Sequence, residues 1–279
     1  MGNFMTVLNI DRKKEEYFSR IKYLSYTPIL VKLFWDVKEN YFLFFLNAVA
    51  VIKSNSLDKN DLIYASRCYD KIINNLYGNI SFLYMVKANL ALCLWGINGK
   101  DNLLKAHKLM KEYFDYKGKL NINNIDEATI LSNYALILRD LDEDKYLAEA
   151  KENMEIALNT AKRENIETSI SLFKANLATI LNKIDKDNYK EQAIVLLKEA
   201  ILTNIPILGE SSLRVTRDRI TLGRLYYSLG KLENSIINYK LALQSASKMS
   251  SNDLLKTYIM MALSDVLIDA GHMLESYTQ

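Results

Sequence analysis

The sequence predicts an all-α chain of stacked antiparallel helix hairpins. Three observations predict it: few chain-breaking residues, one helix–turn–helix segment whose small residues occupy facing stripes, and the recurrence of that segment along the chain. The first is a count. The chain has 279 residues but only 9 Gly and 2 Pro, against about 20 and 14 at average usage. Sandwiches, nucleotide-binding α/β units and long linkers consume both residues in turns and phosphate loops. The chain is therefore read as helices joined by short connections. Hydrophobic residues make up 49% and charged residues 25%, enough for a core in one large domain, two smaller ones or a repeat array.

The second observation is the segment from Ile220 to Leu243. Leu222, Gly223 and Tyr226 fall on one helix face, Gly230 ends that helix, and Ser235, Tyr239 and Ala242 fall on the facing stripe of the next. Small residues at Gly223, Ser235 and Ala242 let two antiparallel helices approach closely. Leu222, Tyr226 and Tyr239 fill the space around the crossing.

The third observation is periodicity. First-helix small residues recur at Ala50, Ala91, Ala135, Ala178, Gly223 and Ser264, with steps of 41, 44, 43, 45 and 41. Second-helix ones recur at Ala65, Ala106, Ala150, Ala193, Ser235 and Ser276, with steps of 41, 44, 43, 42 and 41. The two series give about six units over residues 42–279, the last incomplete. In the first four units the two small residues are 15 apart, and in the last two they are 12 apart. The three extra residues are expected at the inter-helix turns LDKND, GKDN, DEDK and DKDN. Gly271 is expected to repeat the turn made by Gly230, and Pro206 to close the fourth unit, because proline cannot continue a helix.

Residues 1–41 do not fit the period. A helix is expected from Asp11 to Tyr26, and a second stretch starts at Pro28. Together they are read as an N-terminal helical cap over the first unit, since a terminal repeat face cannot stand bare. At the other end, Met260, Leu263 and Leu267 form an apolar face. That face suggests a homo-oligomer, or a continuation of the chain, through the last repeat.

This spacing resembles the tetratricopeptide repeat (TPR), and the long period resembles its kinesin-light-chain-like subclass. The resemblance implies a right-handed α-solenoid with a concave groove lined by the first helices. It also draws attention to Asn89, Asn133 and Asn176, each two residues before the small residue, in the strings KANLA, SNYAL and KANLA. In the subclass, groove asparagines bind the main chain of an extended peptide. An amide suits that task because it donates and accepts together, while helix propensity does not favour periodic Asn. Ala48, Thr221 and Ala262 take the position in the other units, which leaves the ends of a peptide track unspecified. The alternative is that each Asn bonds a neighbouring helix and orders the stack.

Other first-helix positions expected to face the groove are Trp95, Ser132, Leu136, Arg139, Thr179, Asn182, Arg217, Arg224 and Tyr227. Arg217 and Arg224 lie two turns apart on one face, and arginines there suit a carboxylate through paired N–H donors. The alternative is a solvated basic face shared with Arg214 and Arg219.

Little points to catalysis or to a cofactor. His107 and His272 are the only histidines and fall in distant units. No GxxxxGK[ST] or GxGxxG motif occurs. Asp140, Asp142 and Asp144 open like a calcium loop, but Lys145 and Lys151 stand where Gly and Glu are required. Cys68 and Cys93 form no CxxC pair and are read as small buried residues in a reduced, cytoplasmic protein. The first residues, MGNFMTVLNIDRKKEE, lack a secretory pattern. The strongest apolar run, Tyr41 to Ile52, has 12 residues where a membrane span needs about 20, so it is read as a buried helix. A net charge of +3 argues against nucleic acid as partner.

The reading is thus a non-catalytic TPR scaffold or adaptor for a protein or extended peptide. The alternative is a bacterial or phage regulatory protein, a peptide-sensing or defence-system receptor that changes conformation on binding its ligand. The Ile-, Asn-, Lys- and Tyr-rich composition suggests an AT-rich genome.

Overall fold

A computed structural model describes residues 39–55, 58–76, 80–116, 123–184, 187–249 and 253–277. The expected cap helices, from Asp11 to Tyr26 and from Pro28 on, lie outside these residues. The described residues form eleven α-helices and no strand. They are α1 (Glu39–Ser54), α2 (Lys59–Asn75), α3 (Ile80–Ile97), α4 (Lys100–Tyr116), α5 (Asn124–Leu141), α6 (Asp144–Arg163), α7 (Glu167–Ile184), α8 (Asp187–Leu208), α9 (Leu213–Ser228), α10 (Leu232–Ser247) and α11 (Asp253–Tyr277).

The chain divides into two compact units, Met1–Ile122 and Asn123–Gln279. In the first, α1 packs on α2 and α3 on α4, with α2 against α3 and α1 touching α3. In the second, each helix from α5 to α11 packs on the next, and the first helices also meet directly, α5 with α7 and α7 with α9. The first helices of that unit therefore crowd together on one side of the stack. Each unit is a run of helix hairpins in which successive helices pack on one another.

Local chemistry sets the helix ends. Asp58, Asn123 and Ser212 each turn a side-chain oxygen onto a backbone N–H of the first turn and satisfy a donor the helix cannot. Gly230 closes α9 in the left-handed region (φ +70). Its N–H bonds the Tyr227 carbonyl and the Lys231 N–H that of Tyr226, the paired closure that favours glycine.

The two series of small residues mark the helix crossings. Ala50, Ala65, Ala91, Ala106, Ala135, Ala150, Ala178, Ala193 and Ser235 are fully enclosed, and Gly223 is buried beneath the Tyr239 ring. Ser235 Oγ donates to the Gly223 carbonyl at 2.8 Å, tying the two helices at that crossing.

Three expectations are corrected. The extra residues of the first four units do not lengthen the turns, because α3 and α4 are separated by Asn98 and Gly99 alone and α5 and α6 by Asp142 and Glu143 alone. Lys59, Lys100, Asp144 and Asp187 begin their helices six residues before the small residue, whereas Leu232 begins three before Ser235. The insertion is close to one helical turn and extends the start of the second helix. Gly271 makes no turn, since α11 runs unbroken to Tyr277. Pro206 sits inside α8, which ends at Leu208.

Helix α3 is long and apolar enough to cross a membrane by length and composition. Here it packs between α2 and α4, burying Val86, Leu90, Ala91, Cys93 and Leu94.

Candidate functional site

The face carried by α5, α7, α9 and α11 in the second unit contains most of the residues singled out in the sequence. Ties between successive helices cross it at about one repeat's spacing. Asn176 Nδ2 donates to Ser132 Oγ at 3.2 Å. Arg139 Nη1 donates to Thr179 Oγ1 at 2.8 Å, and its Nε to Asp140 Oδ1 at 2.7 Å. Lys183 Nζ lies 2.8 Å from Asp142 Oδ2. Arg224 Nη2 donates to the Tyr258 hydroxyl at 2.8 Å, and the Tyr227 hydroxyl donates to Asp269. Asp269 and Asp265 push the Tyr227 phenol above its ordinary range, since a carboxylate partner favours the protonated form.

These contacts sort the expected residues. Asn176, Arg139 and Tyr227 are joined to the next or preceding first helix, so part of their bonding capacity orders the stack. Asn133 and Asn182 are half-buried with no side-chain hydrogen bond among the described residues. Arg217 is exposed and has no carboxylate partner among them. Arg224 is exposed and keeps N–H donors beyond the one given to Tyr258. Ser132 and Leu136, expected on an open groove wall, are buried. Asn89 and Trp95 lie on α3 in the first unit, both half-buried.

The shared basic face with Arg214 and Arg219 is corrected. Arg219 points away from it, 6% exposed, and donates to Ser245 Oγ on α10 at 3.3 Å and to Glu210 Oε1 at 2.9 Å. The register itself carried the signal: Arg219 stands four residues before Gly223, on the stripe that meets the second helix. Beside it lies a buried polar chain that the sequence did not suggest. Ser171 Oγ donates to Asn204 Oδ1 at 2.7 Å, Asn204 Nδ2 faces Asp218 Oδ2 at 3.5 Å, and Arg214 Nε stands 3.8 Å from the same oxygen. Burial pushes the Asp218 carboxyl up to about 6, with Arg214 and Asn204 opposing.

No group of three or more His, Cys, Asp or Glu able to hold a metal occurs among the described residues. Asp140 and Asp142 are already engaged by Arg139 and Lys183. Cys68 and Cys93 are buried. Burial raises both thiols, Cys93 to about 12, the opposite of what a nucleophile needs.

No protein-family model and no curated protein matches the sequence. Solved structures do share the fold. BtubC (BKLC) from P. vanneervenii superposes with a TM-score of 0.58 at 20% identity, covering 81% of this chain and 84% of that one. A Podosopora anserina kinesin-light-chain-type protein of nearly identical TPR-like repeats gives 0.54 at 12% identity, covering 74% and 97%. At these identities the likeness establishes the fold, an all-α array of TPR-like repeats.

Proposed function

We propose that this array of TPR-like repeats is a non-catalytic scaffold, and that the first-helix face of residues 123–279 takes an extended segment of a partner protein. One observation carries the reading. On a face otherwise closed by ties between helices, Asn133, Asn182 and Arg217 keep hydrogen-bonding groups without a side-chain partner among the described residues. An amide pairs with both the N–H and the C=O of a peptide main chain. Arg217 and Arg224 meet an acidic side chain or a C-terminal carboxylate. Asn176 and Arg139 position the neighbouring helices that carry these groups, and Tyr227 bounds the face on the side of α11.

The test is a peptide selected by display against the full chain, with affinity measured by titration. Arg217→Glu/Arg224→Glu is expected to weaken binding at least about tenfold, and Asn133→Ala severalfold, with helicity unchanged. Binding that ignores these substitutions and is lost instead on changing Val195 and Ile237, exposed on α8 and α10, contradicts the reading.

A further inference from the structure

The small residue at each first-helix crossing is enclosed at Ala50, Ala91, Ala135, Ala178 and Gly223, but Ser264 on α11 is exposed. The difference extends to its neighbours. Three residues before the small residue, Ala88, Ser132, Ala175 and Ile220 are buried, and three after it, Leu94, Leu138, Leu181 and Tyr226 are buried. On α11 the same positions are Met261, 64% exposed, and Leu267, 46% exposed. Met260 and Ile268, four residues to either side, are also exposed, and a Cβ on Gly271 would meet nothing within 4 Å. The opposite side of α11, Ile259, Leu263 and Val266, is buried in one core cluster with Tyr239 and Ala242 of α10. Thus α11 is seated on α10 while the stripe that every preceding first helix turns to its own second helix is bare. Contiguous apolar surface of this kind marks an association site.

We propose that this stripe is a homodimer surface, on which α11 of a second copy packs antiparallel across Ser264. In each hairpin the covering helix runs antiparallel and brings its own small residue to the crossing, as Ser235 does at Gly223. Helix α11 carries both halves of that arrangement. Small Ser264 is flanked at three and four residues by Met260 and Met261 on one side and Leu267 and Ile268 on the other. A two-fold axis through Ser264 sets the methionines of one copy against Leu267 and Ile268 of the other, the self-complementary contact a closed dimer requires. The stripe from Thr257 through Gly271 carries no charge, and Asp265 and Asp269 stand toward Tyr227, off it. Large groups around a small one at the axis permit close helix approach. The proposal does not depend on the groove reading, because peptide affinity and chain mass are separate observables.

Sedimentation of the full chain at micromolar concentration tests it. The expected mass is twice 32.1 kDa, falling to the monomer in Met261→Asp/Leu267→Asp with unchanged circular dichroism. Ser264→Cys is expected to cross-link to its own copy under mild oxidation, while Glu233→Cys, exposed on α10, does not. A mass of 32.1 kDa at every concentration, a dimer that survives the double aspartate variant, or Ser264→Cys cross-linking no better than Glu233→Cys overturns the proposal.

Discussion

The Tyr239 ring lies 3.2 Å from the point that a Cβ on Gly223 would occupy. Neither residue has a conformational reason to be special there, since Gly223 is helical with an ordinary backbone. The constraint is the distance between α9 and α10, fixed further by the Ser235 hydroxyl on the Gly223 carbonyl. Alanine at 223 gains roughly 1 kcal/mol of helix propensity and loses a comparable amount moving the ring. Gly223→Ala is therefore expected near neutral, and Gly223→Leu to destabilise by about 1–3 kcal/mol through overpacking. Urea unfolding of both variants checks this, and a Gly223→Leu as stable as the wild type contradicts the close crossing.

Arg219 makes a second connection between α9 and its surroundings. Its guanidinium, enclosed on the hairpin stripe, bonds Ser245 and Glu210. Arg219→Met keeps the aliphatic stem but strips Ser245 of its charged partner, and is expected to cost about 2–3 kcal/mol. Glu210 is itself exposed to water, so Glu210→Gln is expected to cost less. Equal effects from the two substitutions contradict the assignment of Arg219 to the interior.

Asp218 gives the chain a pH signature. Its carboxyl is raised by burial from 3.8 to about 6, so the folded state holds the proton more tightly than the unfolded one. Protonation therefore favours folding. This site adds stability as pH falls from about 6 toward 4, and costs stability above about 6. Linkage of about 1.4 kcal/mol per pH unit makes the cost at neutral pH roughly 2–3 kcal/mol. Asp218→Asn is expected to be more stable than the wild type near pH 7.5, with the advantage shrinking as pH falls through about 6 and gone only below about pH 4, while Arg214 turns to solvent. A difference between the two that does not change with pH contradicts this.

The thiols report on the integrity of the first unit. Cys68 and Cys93 are buried and raised, so Ellman's reagent is expected to react at least about a hundredfold more slowly with native protein than with protein in denaturant. Fast labelling of native protein contradicts the packing of α2 and α3.

The register of crossings was legible in the sequence because small residues recurring in two series have one geometric use, and Ala91, Ala135, Ala178 and Gly223 are buried where that use requires. The course of α11 was not legible from one glycine. Gly230 closes α9 by adopting a left-handed backbone, whereas Gly271 is followed by His272, Met273 and Leu274, which continue a helix readily. The added turn at the starts of α2, α4, α6 and α8 was mistaken for loop, because Asp, Lys and Asn suit the exposed first turn of a helix as well as a connection. The candidate face was half legible. Spacing set Arg217 and Arg224 on one face, and both are exposed, but Arg219 was grouped with them, because the Ser245 and Glu210 that accept its charge become neighbours only in the fold. The tie from Asn176 to Ser132 depends likewise on a partner 44 residues away.

Hydrogen exchange of the full chain, with and without a display-selected peptide, tests the proposed function most directly. The account predicts added protection in α5, α7 and α9, with α6, α8 and α10 unchanged. Protection confined to α6, α8 and α10, with the first helices unaffected, would contradict it.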